Sequence, residues 1–294
     1  FYYSITLLFL SRQGYWNDSN NVKELSLIQL TYKYFLSSIA LIFIFLLVKQ
    51  EIYNLLKEND KIAVCISGGK DSFLLAKCFS ELHKYTKIPF SLEYIVMNPG
   101  YKEEVLLKIK ENALKLNIPI KIFDSDIFFV SNKLSPEKPC YMCARMRRGF
   151  LYKTAQSLGC NKIALGHHFD DVISTTIMSM FYNGEFKTMM PRLKSTNFDG
   201  LELIRPLYLV KEDDIKNFAR ANSLEFINCA CSFTERTDYE NVSKRKEIRK
   251  FLEDYRKINP NIEQNIFNSL ENVNLNTIIS YEKDDKVFSV LEEN

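Results

Sequence analysis

The chain has 294 residues, of which 46% are hydrophobic and 26% charged, and this composition excludes an intrinsically disordered protein. Its 39 Lys and Arg against 36 Asp and Glu give a formal net charge of +3, which excludes binding of nucleic acid through overall charge and leaves only local basic patches for it. Seven cysteines, an odd number, argue against a secreted disulfide framework and indicate a reducing compartment.

The first feature along the chain is an apolar run at 35–48, which lies between Lys33 and Lys49. The run is shorter than the ~18–20 residues that a membrane-spanning helix needs. A membrane anchor, a buried amphipathic helix and a signal-like segment all remain open, and membrane contact is not favoured. We assign no function to residues 1–50.

From Lys61 onward, short apolar runs alternate with helical patterns. Strands are predicted at 61–66, 90–97, 118–123, 162–165 and 201–207, and helices at 71–85, 101–117, 142–158, 170–182 and 211–222. This alternation requires crossover connections, so it predicts an α/β fold with a Rossmann-like, mainly parallel sheet and helices on both faces. Ligands of such sheets bind at the carboxyl ends of the strands.

The most informative motif, SGGKDS, follows the first predicted strand. Two glycines at this position let backbone N–H groups approach an anion, and the next helix directs the positive end of its dipole there. A lysine adds a mobile positive charge for phosphate, and two serines add hydroxyl groups. The motif predicts a nucleotide-binding loop, and its residues are Ser67, Gly68, Gly69, Lys70, Asp71 and Ser72.

The second motif is a C-x-x-C pair, Cys140 and Cys143, which stands just before a predicted helix. Two thiolates at this spacing can bind one metal ion or cluster, and the helix amino terminus with the arginines at 145–148 lowers thiol pKa values. The pair taken alone leaves open a redox pair, half of a zinc site and part of an iron–sulfur site. The other isolated cysteines, Cys65, Cys78 and Cys160, lie in apolar surroundings and are predicted to pack in the core.

The third motif, GHHFDD at 166–171, lies between a predicted strand and a helix. Asp170 or Asp171 could cap that helix. A carboxylate beside a phosphate loop could equally hold Mg²⁺. His167 and His168 are adjacent, which argues against a shared zinc ion, because neighbouring side chains rarely converge on one metal.

Two further features lie beyond the last predicted strand. Cys229 and Cys231 form a C-x-C pair that could complete a three-cysteine site for a cubane cluster, or could simply lie in the core. A basic helix is predicted at 234–257, where RNA contact and a solvated face are equally open. The polar tail from about Tyr281 is expected to fray.

In order and spacing, SGGKDS, PCxxCxRxRRG, ALGHHxDD and a late cysteine resemble the tRNA 2-thiocytidine synthetase family, within the N-type ATP pyrophosphatases that carry a PP-loop. The resemblance covers about residues 58–232. It implies a cytoplasmic enzyme that uses ATP, Mg²⁺ and a [4Fe-4S] cluster to replace the C2 oxygen of an anticodon-loop cytidine with sulfur. Residues 51–232 would form the ATP and cysteine domain, and residues 233–294 a basic helical extension.

The resemblance also implies roles for individual residues. The loop 67–72 would bind ATP together with His167 and His168, and Lys70, Asp71 and Asp171 would be catalytic. Cys140 and Cys143 would be cluster ligands. Cys231 is favoured as the third ligand with Cys229 as the alternative, because relatives carry C-x-x-C where this chain has C-x-C.

The expected partners are tRNA, contacted through Arg145, Arg147, Arg148 and the basic helix, and a sulfur donor such as a cysteine desulfurase. Relatives of this kind often form homodimers. The alternative functions are another PP-loop enzyme, either a uridine thiolase or a lysidine ligase, and a metal-stabilised RNA-binding module without catalysis. Bound iron would argue against a lysidine ligase, which needs no cluster.

Overall fold

The computed structural model describes residues 54–135, 139–226, 244–289 and 291, with the side chains of Pro139 and Cys140 excepted. The apolar run at 35–48 and the pair Cys229 and Cys231 lie outside these residues. Across the described ranges, no helix combines the length and the apolar character that crossing a membrane requires.

Six strands form one sheet and run parallel, apart from β5 at one edge. The strand order is β3-β2-β1-β4-β6-β5, and a separate hairpin joins β7 to β8. This confirms the predicted fold class. The strands are β1 Lys61–Ile66, β2 Ser91–Asn98, β3 Ile120–Asp124, β4 Lys162–Ala164, β5 Arg192–Lys194, β6 Glu202–Ile204, β7 Ser280–Lys283 and β8 Lys286–Ser289.

Helices lie between most of the strands along the chain, and further helices follow the last strand of the main sheet. They are α1 Lys70–Tyr85, α2 Glu103–Lys115, α3 Ile127–Leu134, α4 Pro139–Ser157, α5 Phe169–Met178, α6 Glu212–Ala221, α7 Lys244–Ile258 and α8 Ile262–Glu271. Helix α5 continues into a π-helical turn, Ser179–Asn183, and Leu275–Thr277 forms a 3₁₀ turn. The expectation of a frayed tail is wrong for residues 280–289, because β7 and β8 pair there and stack Tyr281 on Phe288.

Strand β1 shows why helices cover both faces of the sheet. Ile62, Val64 and Ile66 pack in a core with buried residues of α1, α2 and α6, whereas Ala63 and Cys65 pack with buried residues of α4. Alternate side chains of a strand point to opposite faces, so a strand of uniformly apolar residues must be covered twice. The structure thereby confirms the two-layered helix packing that the sequence predicted.

The three isolated cysteines lie in the core, as predicted. Cys65, Cys78 and Cys160 are buried, and burial raises their pKa values to about 12, about 12 and about 11. A thiol that resists ionisation is a poor metal ligand and a poor nucleophile. These three residues therefore serve packing.

The carboxyl-terminal helices pack on α5. Phe169, Val172 and Ile173 of α5 share a buried cluster with Ile248 and Leu252 of α7 and with Phe267 of α8. Helix α7 therefore packs on α5, the helix that begins within the GHHFDD motif.

The strand order places a topological switch between β1 and β4. The chain proceeds from β1 to β2 and β3 on one side, and β4 pairs with the other side of β1 before β6 follows. A crevice opens at such a point beyond the carboxyl ends of the two strands, where α/β proteins bind their ligands. SGGKDS follows β1 and GHHFDD follows β4, so both motifs border this crevice.

Candidate active site

The glycine loop turns between β1 and α1. Gly68 has φ +88°, which L side chains rarely adopt, and a Cβ there would lie 2.8 Å from Ile109 Cδ1. The Ser72 hydroxyl accepts a hydrogen bond from the N–H of Ser67 at 3.2 Å and donates one to the Gly69 carbonyl at 2.8 Å. The loop is therefore closed on itself, and the N–H groups of the first turn of α1 point beyond it. This arrangement is a backbone cradle for phosphate.

The GHHFDD loop packs directly against this cradle. A Cβ on Gly166 would lie 3.1 Å from the carbonyl carbon and oxygen of Asp71 and from the nitrogen of Ser72. Only a glycine allows this approach without displacing backbone. Gly166 thus brings the two predicted motifs together at the switch point, as expected from their positions in the sequence.

Lys70 is held by two carboxylates at the mouth of the loop. Its Nζ lies 3.1 Å from Asp71 Oδ1 and 3.1 Å from Glu212 Oε1 at the start of α6. Burial opposes the charged form, but the two carboxylates outweigh it and raise the pKa of Lys70. The ammonium group is therefore charged and positioned before any anion arrives.

The two histidines have opposite electrostatic environments. His168 is buried with Asp170 Oδ2 3.4 Å from its Nδ1, and with Asp171 Oδ2 and Asp71 Oδ1 3.5 and 3.8 Å from its Nε2. Burial alone would lower the pKa of His168, but these carboxylates raise it. For His167, burial, reinforced by Arg205, lowers the pKa to about 4. The chain therefore places a neutral imidazole beside one that favours its charged form.

Both aspartates of GHHFDD perform the helix-capping role, and both also meet cations. Asp170 Oδ2 accepts a hydrogen bond from the N–H of Glu212 at 2.8 Å, which caps α6, and Asp171 Oδ2 accepts one from the N–H of His168 at 3.4 Å at the start of α5. Asp171 Oδ1 lies 3.2 Å from Arg245 Nη1 and 3.5 Å from Arg249 Nη2. Asp170 thereby links the GHHFDD loop to α6, and Asp171 links it to α7.

The cysteine motif opens α4 on the same side of the sheet. Helix α4 leads to the amino end of β4, so its own amino terminus lies at the carboxyl edge of the sheet. Arg147, one turn beyond Cys143, donates to the Tyr101 hydroxyl at 3.3 Å, and that hydroxyl lies 3.5 Å from the Ser67 carbonyl. One tyrosine therefore joins the helix of the cysteines to the phosphate loop.

Of the four predicted cluster ligands, the structure describes the side chain of Cys143, which is half-buried. Cys140 lies in the first turn of α4, and Cys229 and Cys231 lie outside the described residues. Within the described part of the chain, no three His, Cys, Asp or Glu side chains form a metal-binding group. Cysteine thiolates are the donors that a [4Fe-4S] cluster takes, and the assignment of Cys140, Cys143 and Cys231 as its ligands stays a prediction.

Three residues of this crevice, Tyr101, Arg205 and Glu212, were not predicted from the sequence as site residues. Arg205 follows β6, is buried, and donates to the Met190 carbonyl, while burial lowers its pKa. Glu212 pairs with Lys70. The available signal for Arg205 was a charged residue inside the apolar strand predicted at 201–207. Arg245 and Arg249 were predicted only as part of a basic helix, where RNA contact and a solvated face were equally open.

The lowered pKa of His167 predicts a specific loss of stability in acid. The unfolded histidine titrates near 6.5 and the folded one near 4, so the unfolded state binds the proton more strongly, and the free energy of unfolding falls as pH drops from about 6.5 towards 4. Between pH 7.5 and pH 5, we expect the free energy of unfolding of His167→Gln to fall by roughly 1–3 kcal/mol less than that of the parent protein. Urea unfolding at pH 7.5 and at pH 5 measures it, and an identical pH dependence in the two proteins would contradict the prediction.

Comparisons with known proteins agree with this geometry. The family model of the PP-loop domain matches residues 46–254. The U34-tRNA thiolase NcsA from Methanococcus maripaludis with its [4Fe-4S] cluster superposes with a TM-score of 0.59 at 23% identity, over 83% of this chain and 77% of that one. This likeness shows a shared fold.

Curated relatives are closer in sequence. The tRNA-cytidine(32) 2-sulfurtransferase of Ralstonia pickettii (strain 12J) is 38% identical over 229 residues, which cover 75% of this chain and 69% of the relative. The enzyme of the same name from Paraburkholderia xenovorans (strain LB400) is 36% identical over 241 residues, or 80% and 68% of the two chains. The chain belongs to the tRNA-cytidine(32) 2-sulfurtransferase family of PP-loop proteins.

Proposed function

We propose that this protein is an ATP-dependent tRNA sulfurtransferase that adenylates the C2 carbonyl oxygen of an anticodon-loop cytidine, at position 32, and replaces that oxygen with sulfur. The observation that carries the proposal is the contact chain from the phosphate loop to the cysteine helix, through Ser67, Tyr101 and Arg147. This contact chain supports a nucleotide cradle and a C-x-x-C pair that serve one crevice. The names of the sequence relatives supply the substrate class.

Phosphate binding follows from the residues of the crevice. The loop N–H groups and Lys70 meet a triphosphate, and Lys70 must exchange at least one of its carboxylate partners for a phosphate oxygen. Asp71 and Asp171 offer the carboxylate oxygens that Mg²⁺ prefers, and we propose that they hold it. Lys70 then offsets the charge that develops on the phosphates as the α–β bond breaks.

Adenylation turns the C2 oxygen into a better leaving group. The C2 oxygen of cytidine leaves poorly, but attack of this oxygen on the α-phosphate releases pyrophosphate and converts the oxygen into part of AMP, which leaves readily. A [4Fe-4S] cluster held by Cys140, Cys143 and Cys231 would supply a site from which sulfur is delivered. Arg147 and Tyr101 hold the start of α4 next to the phosphate loop.

Contact with RNA is proposed for the exposed arginines of α4. Arg145 and Arg148 are exposed beside the cysteines, whereas Arg147 is engaged with Tyr101. In α7, Arg245 and Arg249 meet Asp171 and Lys244 stacks on Tyr182 at 4.3 Å, and Lys246 and Lys250 are exposed. The RNA would lie along α4 and reach the crevice by a splayed base.

The remaining features of the proposal come from the family. We propose a cytoplasmic location, a cysteine desulfurase as the sulfur donor, and a homodimer. The division into residues 1–50, 51–232 and 233–294 also remains a prediction.

The test is analysis of tRNA nucleosides. We expect tRNA from a strain that lacks the gene to lose 2-thiocytidine at position 32, and the purified, iron-loaded protein to restore it with ATP and sulfide while releasing AMP. Loss of a 2-thiouridine or of lysidine instead, with 2-thiocytidine intact, would assign the chain to one of the other PP-loop reactions. Binding of tRNA with no ATP consumption would indicate a binding module.

A further inference from the structure

Two arginines of α7 share one carboxylate at the edge of the crevice. Arg245 Nη1 and Arg249 Nη2 lie 3.2 and 3.5 Å from the same atom, Asp171 Oδ1. Two guanidinium groups therefore share a single carboxylate oxygen. The other oxygen of Asp171, Oδ2, lies 3.5 Å from His168 Nε2.

This corner adjoins the phosphate cradle. His168 Nε2 lies 3.5 Å from Asp171 Oδ2 and 3.8 Å from Asp71 Oδ1, and Asp71 in turn meets Lys70. An unbroken row of side chains therefore leads from Arg249 to the lysine of the glycine loop. Burial alone would raise the pKa of Glu212, but Lys70, 3.1 Å away, lowers it and Arg249 helps to lower it, so the guanidinium group of Arg249 lies near the lysine of the loop.

Both arginines have donors to spare. A guanidinium group carries five N–H donors in a planar fork, and each of these two directs one nitrogen at Asp171. The side chains of Arg245 and Arg249 are 43% and 41% exposed, and the Nε of Arg249 is buried with no hydrogen-bond partner among the described residues. A phosphate group would satisfy these donors.

A third arginine on the same helix shows the contrast. Arg256 binds Glu263 with two nitrogens, at 2.5 and 3.2 Å, and lies 3.6 Å from Asp170. Its donors are therefore committed to carboxylates, and its role is to fasten α7 to α8 and α5. Arg245 and Arg249 differ because their one shared carboxylate faces the crevice.

We propose that Arg245 and Arg249 bind the β- and γ-phosphates of ATP, so that α7 completes the nucleotide site. The proposal rests on the proposed function only in taking ATP as the substrate. When the acceptor oxygen bonds to the α-phosphorus, the bond from that phosphorus to the β-phosphate oxygen breaks and pyrophosphate leaves with the electron pair. Charge grows on the phosphates that the arginines contact, and a planar fork matches phosphate geometry better than an ammonium group does.

The experiment measures nucleotide affinity with tRNA omitted. The probes are an ATP analogue with a methylene group between the α- and β-phosphates, which cannot be cleaved there, inorganic pyrophosphate, and AMP, each with Mg²⁺. We expect Arg249→Gln to weaken the analogue and pyrophosphate by about tenfold or more, the double variant with Arg245→Gln to weaken them further, and AMP to bind unchanged.

Three control variants separate this from other roles of the helix. Lys250→Gln removes an exposed charge next to Arg249 and should change the affinity for the analogue by less than about twofold. Arg256→Gln removes a fastening arginine and should lower the unfolding midpoint while leaving the affinity for the analogue of the folded protein intact. Arg249→Lys keeps the charge near Asp171 but loses the planar fork, so it should lower the affinity for the analogue severalfold. If the glutamine variant fails to fold, this lysine variant tests the proposal in its place.

Several results would overturn the proposal. Unchanged affinity for the analogue in folded Arg249→Lys and in the double variant would remove the arginines from the nucleotide site. If the variants keep their affinity for the analogue but bind tRNA more weakly in a separate tRNA-binding measurement, α7 is an RNA surface instead. An equal loss for AMP would place the contact at the nucleoside or α-phosphate. Because tRNA is absent from the binding assay, the result stands whichever nucleoside the enzyme modifies.

Discussion

Lys70→Ala is expected to reduce AMP release and tRNA thiolation by about a hundredfold to a thousandfold. The ammonium group is the cation that two carboxylates already hold at the mouth of the phosphate loop, and removing a preorganised charge of this kind from a reacting phosphate has effects of that size. Single-turnover release of AMP from ATP in the presence of tRNA measures the change.

Lys77→Ala is the matched control for this experiment. Lys77 lies two turns further along the same helix, and its Nζ meets Glu81 Oε1 at 2.8 Å. This pair has no contact with the loop, so the folded variant should turn over at the parent rate. Turnover that stays at the parent level in Lys70→Ala would remove the glycine loop from the chemistry.

Replacing either Cys140 or Cys143 with alanine is expected to abolish iron binding and thiolation together. A cluster bound by three thiolates cannot be retained when one of a C-x-x-C pair is lost, whereas the phosphate cradle is built by other residues. The binding of the uncleavable ATP analogue should therefore persist. Iron content, colour and 2-thiocytidine formation, measured on the same preparation, give the readout.

Two comparisons sharpen the cysteine experiment. Cys78→Ala removes a buried thiol that packs against the sheet and should keep iron and activity. Cys231→Ala should lose both and Cys229→Ala should keep both, which would assign the third ligand. A brown, active protein after Cys140→Ala would contradict the ligand assignment.

The sequence predicts the elements that local pattern determines. Strand β1 was predicted with its observed bounds, 61–66, because every residue from Ile62 to Ile66 is apolar and the glycines that follow end the strand. Helix α1 was placed within one residue of its observed start, since the loop chemistry fixes where it begins. Lys70 stands at this boundary and was therefore predicted as a residue of the crevice.

Elements that depend on tertiary partners were not predicted. Strand β5 is three residues long, contains Arg192 and Lys194, and exists because it pairs antiparallel with β6. The sequence of the β7–β8 hairpin has the pattern of a polar tail, and its strands exist because β7 pairs with β8. The strand order of the sheet likewise depends on contacts between distant segments, which no local pattern encodes.

The same reason explains the missed site residues. Asp171 was identified as a cap or a metal ligand, but its partner Arg245 lies 74 positions further along the chain in what was interpreted as a solvated or RNA-binding helix. Glu212 was assigned only to a helix start, although it meets Lys70 across the crevice. Charge pairs between elements become visible only when the fold brings the elements together.

The docking of α7 on α5 has a consequence for synthesis of the protein. A nascent chain that has emerged as far as β6 already contains both glycine-bearing loops and all six strands of the main sheet, but Arg245, Arg249 and Arg256 are still to be translated. Asp170 and Asp171 then stand near Asp71 with no guanidinium group to balance them. Ribosomes add about 5–20 residues per second, so this acidic corner persists for seconds before its counter-charges arrive. The final shape of the crevice is therefore reached late in translation.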